Sequence, residues 1–179
     1  EEPPTRSAST LLATRRSLSD FSTNVYQDCQ PLVPGSRFNP EAWIRVGEYH
    51  FDENELGAAI ASYRKALKLM PGWPPPMRRL AWLYATYPDE AYRSGVQAVN
   101  LAGQASMRTG NKNALILDSL AAAHAEAGNF DQAIVTADKA LTAARKTGNT
   151  NLVKEIEARL ELYHAGLPYR DTISTGRTQ

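Results

Sequence analysis

The stretch that most limits how this chain can fold is LDSLAAAHAEAGNFDQAIVTADKAL, Leu117 to Leu141. In its first half Leu117, Leu120, Ala121 and His124 recur at helical spacing, and Ala122, Ala123 and Ala125 add residues of high helix propensity. Gly128-Asn129 is a helix stop followed by a turn. In the second half Phe130, Ala133, Ile134, Ala137, Ala140 and Leu141 fall on one stripe, while Asp131, Gln132, Asp138 and Lys139 face water. Two amphipathic helices joined by so few residues must pack antiparallel. Ala121 and Ala133 are expected where the two backbones come closest.

This pattern resembles one tetratricopeptide repeat, a unit of about 34 residues. In the family's register Leu117, Leu120, Ala121, Ala133, Ala137 and Ala140 match the key positions, with Gly128 and Phe130 at the turn. His124 stands in place of the usual Tyr, and Arg145 in place of a frequent Pro. The same register fits Trp43, Val46, Gly47, Ala59, Tyr63, Ala66 and Pro71, opened by the helix-start signal Asn39-Pro40-Glu41, and His50 takes the place equivalent to His124. A middle repeat begins at Pro74-Pro75-Pro76 and carries Met77, Leu80, Ala81 and Tyr84. Its turn, TYPDEAYRSG (Thr86 to Gly95), is longer than the pattern before Ala98, Ala102 and Ala105 resume, so a projecting loop, a frequent contact site, is expected there. After Gly148-Asn149-Thr150, a last helix shows an apolar stripe of Leu152, Ile156, Leu160 and Tyr163, with Lys154, Glu155, Glu157, Arg159 and Glu161 assigned to its polar side. A terminal cap needs that division.

The resemblance implies an all-α fold, a right-handed superhelical stack of antiparallel helix pairs (an α-solenoid) whose concave face is lined mainly by the first helix of each repeat. The expected organisation is an N-terminal arm (1–38), a repeat domain (39–165) and a C-terminal tail (166–179). Within the domain, repeats cover about 40–73, 74–110 and 114–147, and the capping helix 151–165. The run LELYHAGLPYR also resembles the close of such domains in bacterial envelope proteins and multidomain enzymes.

The arm is rich in Ser, Thr and Pro, a composition associated with flexible segments. Leu11, Leu18 and Val25 are seven apart with Phe21 between, which permits a short amphipathic helix; an extended segment pressed into a groove is the alternative. Leu11, Leu12, Leu18, Phe21, Val25 and Tyr26 are its candidates for assembly contacts, and a head-to-tail contact that does not close would propagate as a filament. Clustered Ser and Thr between Thr5 and Thr23 could accept O-linked sugar, whereas the chain has no N-x-S/T sequon. Cys29 is the lone cysteine, so no disulfide or thiol pair forms within one chain. The start at Glu1 fits a processed protein or a fragment, and a secreted or cell-envelope location is favoured.

The charge is balanced, 20 basic against 19 acidic residues, which argues against nucleic acid as a partner. No apolar run reaches the roughly 18 residues of a membrane span. HExxH, CxxC, a nucleophile elbow and a phosphate-binding glycine loop are all missing from the sequence, so neither catalysis nor a cofactor or metal is expected. His50 and His124 read as packed substitutes for a core Tyr.

A binding surface is the better expectation. The family's groove-lining positions carry Glu41, Ile44, Glu48, Phe51 and Asp52 in the first repeat, Arg78, Trp82, Ala85 and Thr86 in the second, and Leu115, Asp118, Ala122, Ala125 and Glu126 in the third. From these, Ile44, Glu48, Phe51, Asp52, Arg78, Trp82 and Asp118 are taken as partner-binding residues, with Arg78 and Trp82 as anchors; core packing is the other reading of Trp82. Some family members clamp a carboxylate through Lys and Asn, but Ile44, Arg45 and Glu48 occupy those places here. The expected function is a non-catalytic scaffold that binds a protein or peptide segment. The alternatives are a self-assembling subunit that uses the arm, and an accessory part of an envelope enzyme.

Overall fold

The side chains before each helix explain where it starts. In the computed structural model, which describes residues 39–171, α1 (Pro40–Asp52) opens on Asn39, whose side-chain oxygen accepts from the Glu41 N–H at 2.9 Å. Pro40 fills the first turn, where a missing N–H costs nothing. α2 (Leu56–Leu69) follows after three residues, and the two helices are the described part of the N-terminal unit, which ends at Leu69. The Tyr63 ring of α2 packs on Gly47 of α1: a Cβ added there would stand 2.5 Å from Cε1 of Tyr63. Val46, Ala59, Tyr63 and Ala66 complete the interior, all at 2% exposure or less.

The C-terminal unit begins at Met70. It contains α3 (Pro74–Thr86), a short 3-10 turn (Glu90–Tyr92), α4 (Gly95–Arg108), α5 (Ala114–Glu126), α6 (Phe130–Lys146) and α7 (Thr150–His164). Ser94, Asn113 and Asn149 cap α4, α5 and α7 by accepting from N–H groups of their first turns. α3 pairs with α4 and α5 with α6, while α5 also packs on α3 and α4, and α7 on α6. Ala98, Ala102, Ala105, Ala121, Ala133, Ala137 and Ala140 are wholly buried, because only small side chains let paired helices approach closely. Leu117, Leu141, Leu152, Ile156 and Tyr163 fill the space between α5, α6 and α7. α5 closes with Gly128 in the left-handed region (φ 77°), its N–H bonded to Ala125 O and the Asn129 N–H to His124 O. All the described elements are helical, and the stacked pairs are the architecture of an α-solenoid.

Two local expectations differ from what is found. Arg159, assigned to the polar side of the last helix, is 5% exposed, because it shares the stripe Leu152, Ile156, Tyr163 and finds a buried acid there. The long turn after α3 exposes Pro88 to Tyr92, as a projecting loop would, and is braced from within. Asp89 caps the 3-10 turn, Tyr87 and Tyr92 meet edge to face, and the Arg93 guanidinium donates to the carbonyls of Tyr87 and Pro88. The segment from Gly166, read as a tail, packs against α3 as far as Asp171 through hydrogen bonds that helical periodicity does not encode. The arm residues Leu11, Leu12, Leu18, Phe21, Val25 and Tyr26, together with Cys29, lie outside the described residues.

Candidate functional site

The last turn of any helix leaves carbonyls without intrahelical partners, and at α3 their destinations build a site. Leu83 O is met by the Tyr87 N–H and Tyr84 O by the Ser94 N–H. Ala85 O accepts from the Arg170 guanidinium at 3.3 Å, and Thr86 O from the Asp171 N–H at 2.8 Å. Two of the four partners thus come from the segment after α7. That segment is aimed by the end of α7: Gly166 takes φ 69°, its N–H bonds to Tyr163 O, and the Leu167 N–H bonds to Leu162 O. This closure reverses the chain, Pro168 prevents the helix from continuing, and Tyr169 to Asp171 arrive beside α3.

Side chains make the second layer of contacts. The indole N–H of Trp82 donates to Asp171 Oδ2 at 2.8 Å, and the Tyr169 ring lies 5.8 Å from that of Trp82. The Arg159 guanidinium sits 5.2 Å from the Trp82 ring and 5.3 Å from the Tyr169 ring. Three such similar separations make a triangular cluster, with the cation at one corner rather than sandwiched between parallel faces. Arg159 is held from behind by Asp118, to which Nε and Nη2 donate at 3.0 and 2.8 Å, a bidentate geometry. Burial pushes the Asp118 carboxyl up to about 6, while the charge and hydrogen bonds of Arg159 pull the other way; Arg78 is close enough to lower it as well. Burial pulls the Arg159 pKa down, but the charge and hydrogen bonds of Asp118 more than offset it and hold it above its ordinary value. Burial, then the charge of Asp171, raises the Tyr169 hydroxyl.

Glu126 anchors the other end. Its Oε1 accepts from Arg93 Nε at 3.0 Å, and its Oε2 makes a 2.7 Å ion pair with Arg170 whose alignment falls short of a hydrogen bond. The Glu126 side chain is only 13% exposed, so both partners act through little intervening solvent. One face of α3, α5 and α7 therefore presents an indole donor, a buried cation, a carboxylate and two helix-end carbonyls. An extended segment lies across it.

Of the residues expected to bind a partner, Trp82 and Asp118 take part in this cluster directly, and Arg78 acts on Asp118 by its charge. Ile44, Glu48 and Phe51, half-buried, and Asp52, exposed, lie on α1 in the N-terminal unit. The sequence reading missed Arg159 and Tyr169 to Asp171. A signal for Arg159 existed, since it falls three residues after Ile156 and four before Tyr163, on the buried stripe. For the segment 169–171 there was none. His50 is buried with Nδ1 2.6 Å from Glu55 Oε2, and His124 is half-buried, with burial lowering its pKa. A surface depression of about 510 Å³ elsewhere, lined by Lys112, Lys139 and Lys146 among others, consists largely of exposed side chains and lacks this fixed geometry. No helix among the described residues is long and apolar enough to cross a membrane.

Residues 40–73, which comprise α1, α2 and the turn after them, match the family model of the tetratricopeptide repeat. No curated protein matches the chain. Residues 40–73 thus form a tetratricopeptide repeat, and further antiparallel helix pairs follow it.

Proposed function

We propose that this chain is a non-catalytic protein-binding scaffold which holds an extended segment of its partner on the shared face of α3, α5 and α7. A tetratricopeptide repeat is suited to binding protein, because stacked helix pairs expose a continuous surface rather than a closed pocket. The observation that carries the finer reading is the seating of Tyr169 to Asp171. These residues engage Trp82, the α3 carbonyls and Glu126 by the backbone and side-chain contacts that peptide capture uses. Aromatic and arginine side chains at the centre, Trp82 and Arg159, are the residue types that dominate binding energy.

The test is a selection of unstructured peptides from a displayed random library against the full chain, followed by titration on the Trp82→Ala variant. The selected peptides should lose at least about tenfold in affinity on Trp82→Ala, the usual effect of removing an interface anchor, while circular dichroism stays unchanged. Binders that ignore Trp82, or a selection that yields none, would overturn the assignment of this face.

A further inference from the structure

We infer that this face selects segments which present an aromatic residue, an arginine and an acidic residue in that order, and that Tyr169-Arg170-Asp171 is a resident copy which an incoming segment must displace. The inference rests on the functional reading above and adds the chemistry of the partner. Each of the three side chains has its own receptor. The aromatic ring stacks near the Arg159 cation and the Trp82 ring. The arginine spans Glu126 and the Ala85 carbonyl, at the negative end of the α3 dipole. The acid takes the Trp82 N–H, while its own backbone N–H fixes the register on Thr86 O. The residues that receive them, Trp82, Asp118, Glu126 and Arg159, lie within helices, so the face exists before the segment arrives.

The resident segment is suited to displacement. Tyr169, Arg170 and Asp171 each keep part of their surface in water, and the Arg170 side chain is 34% exposed. Its contacts are opposed by the entropy of ordering Leu167 to Asp171, a term of the same scale as the hydrogen bonds gained. Its advantage is the short tether to α7, which gives an effective concentration of about millimolar. A free segment with the same contacts competes against that concentration. Apparent affinity is then reduced by the fraction of chains whose face is open.

The probe is a fluorescein-labelled peptide copy of residues 165–172, titrated by anisotropy into the full chain and into full-length Tyr169→Ala/Arg170→Ala/Asp171→Ala. The triple variant should bind the probe at least about tenfold more tightly than the unaltered chain, the ratio expected when the resident copy holds nine faces in ten. A probe with Ala at the position of Arg170 should lose most of that affinity. The single variant Arg170→Ala, the mildest change, should fall between the two chains, and thermal melts of each variant check that the helices remain. Equal binding by unaltered and triple-variant chains, or binding by neither, would overturn the inference. In either case library peptides that depend on Trp82 would leave the functional reading standing.

Discussion

Replacing Arg159 with Met should reveal what the buried ion pair contributes, through its dependence on pH. Methionine keeps much of the volume of the arginine stem and carries no charge. In the wild type the Asp118 carboxyl titrates at about 6 against an ordinary 3.8, so the folded chain holds a proton that the unfolded chain releases. Stability from this group is therefore fully present below about pH 4 and lost as pH rises through about 6. At about 1.4 kcal/mol per pH unit, the loss comes to about 3 kcal/mol. Arg159 supplies the main effects that oppose the burial; without it the carboxyl rises further, and the loss continues where the wild type has levelled off. The difference in unfolding free energy between wild type and Arg159→Met should be flat from about pH 5 to about 6, then widen by about 1.4 kcal/mol per pH unit. The flat part reads the uncharged losses, chiefly the contacts with the Trp82 and Tyr169 rings, at about 0.5–1 kcal/mol each. By about pH 8 the total should reach about 4 kcal/mol, provided the freed carboxyl titrates above that pH. Urea denaturation at constant ionic strength, followed by circular dichroism across this range, measures it. Adding Asp118→Asn to the variant should abolish the widening. A difference that stays constant from pH 5 to 8 would refute the description of Asp118 as a buried acid governed by Arg159.

Gly47→Ala should destabilise the N-terminal unit by about 1–2 kcal/mol, because the new methyl meets the buried Tyr63 ring and the gain in helix propensity offsets only part of the strain. A thermal melt read at Trp43 would show it, and an unchanged or raised midpoint would mean that the ring yields freely. Tyr163→Phe should leave stability equal or raise it by about 1 kcal/mol, since the Tyr163 hydroxyl is buried without a hydrogen-bond partner among the described residues. A loss of more than about 2 kcal/mol in urea titration would indicate a hidden partner. Burial lowers the His124 pKa below 6.5, so the stability it contributes is present above that value and falls as pH drops through it, opposite in sign to Asp118. The difference between wild type and His124→Leu should therefore change below about pH 6.5, and a difference independent of pH would contradict the burial of the ring.

The repeats were legible because their key residues are fixed by close approach. Gly47 faces Tyr63 with no room for a methyl, and Ala121 and Ala133 lie wholly buried between paired helices, so sequence spacing alone reports the geometry. The positions of Trp82 and Asp118 on the first helices were legible for the same reason. Arg159 was not, because a charged residue on an otherwise apolar stripe reads as solvent-facing until its partner, 41 residues earlier, is known. The Trp82 to Asp171 bond spans 89 residues and ends in a segment with no periodicity of its own. Its direction is set by the closure at Gly166 and its destination by acceptors on another helix, so both halves must be in place before the contact can be seen.

Those acceptors trace back to the irregular middle repeat. α1 and α5 end alike: the first N–H beyond the cap bonds to the second-last helical carbonyl, and the next N–H to the one before it. In α1 these are Asn54 to Phe51 and Glu55 to His50; in α5 they are Gly128 to Ala125 and Asn129 to His124. Each turn then runs straight into its second helix. At α3 the cap residue Tyr87 is extended (φ −60°, ψ 137°), and the inserted residues carry the chain away before it can close in this manner. The Ser94 N–H returns to satisfy Tyr84 O, but Ala85 O, which a left-handed glycine or asparagine would have met, is left for Arg170, and Thr86 O for Asp171. Arg93, from the same insertion, steadies Glu126, the carboxylate that Arg170 reaches. The insertion is thus also the reason α3 has the Ala85 carbonyl to offer. A repeat that had closed in the regular manner would have met Ala85 O itself, and would present the same Trp82 without that main-chain acceptor for an arginine beside it.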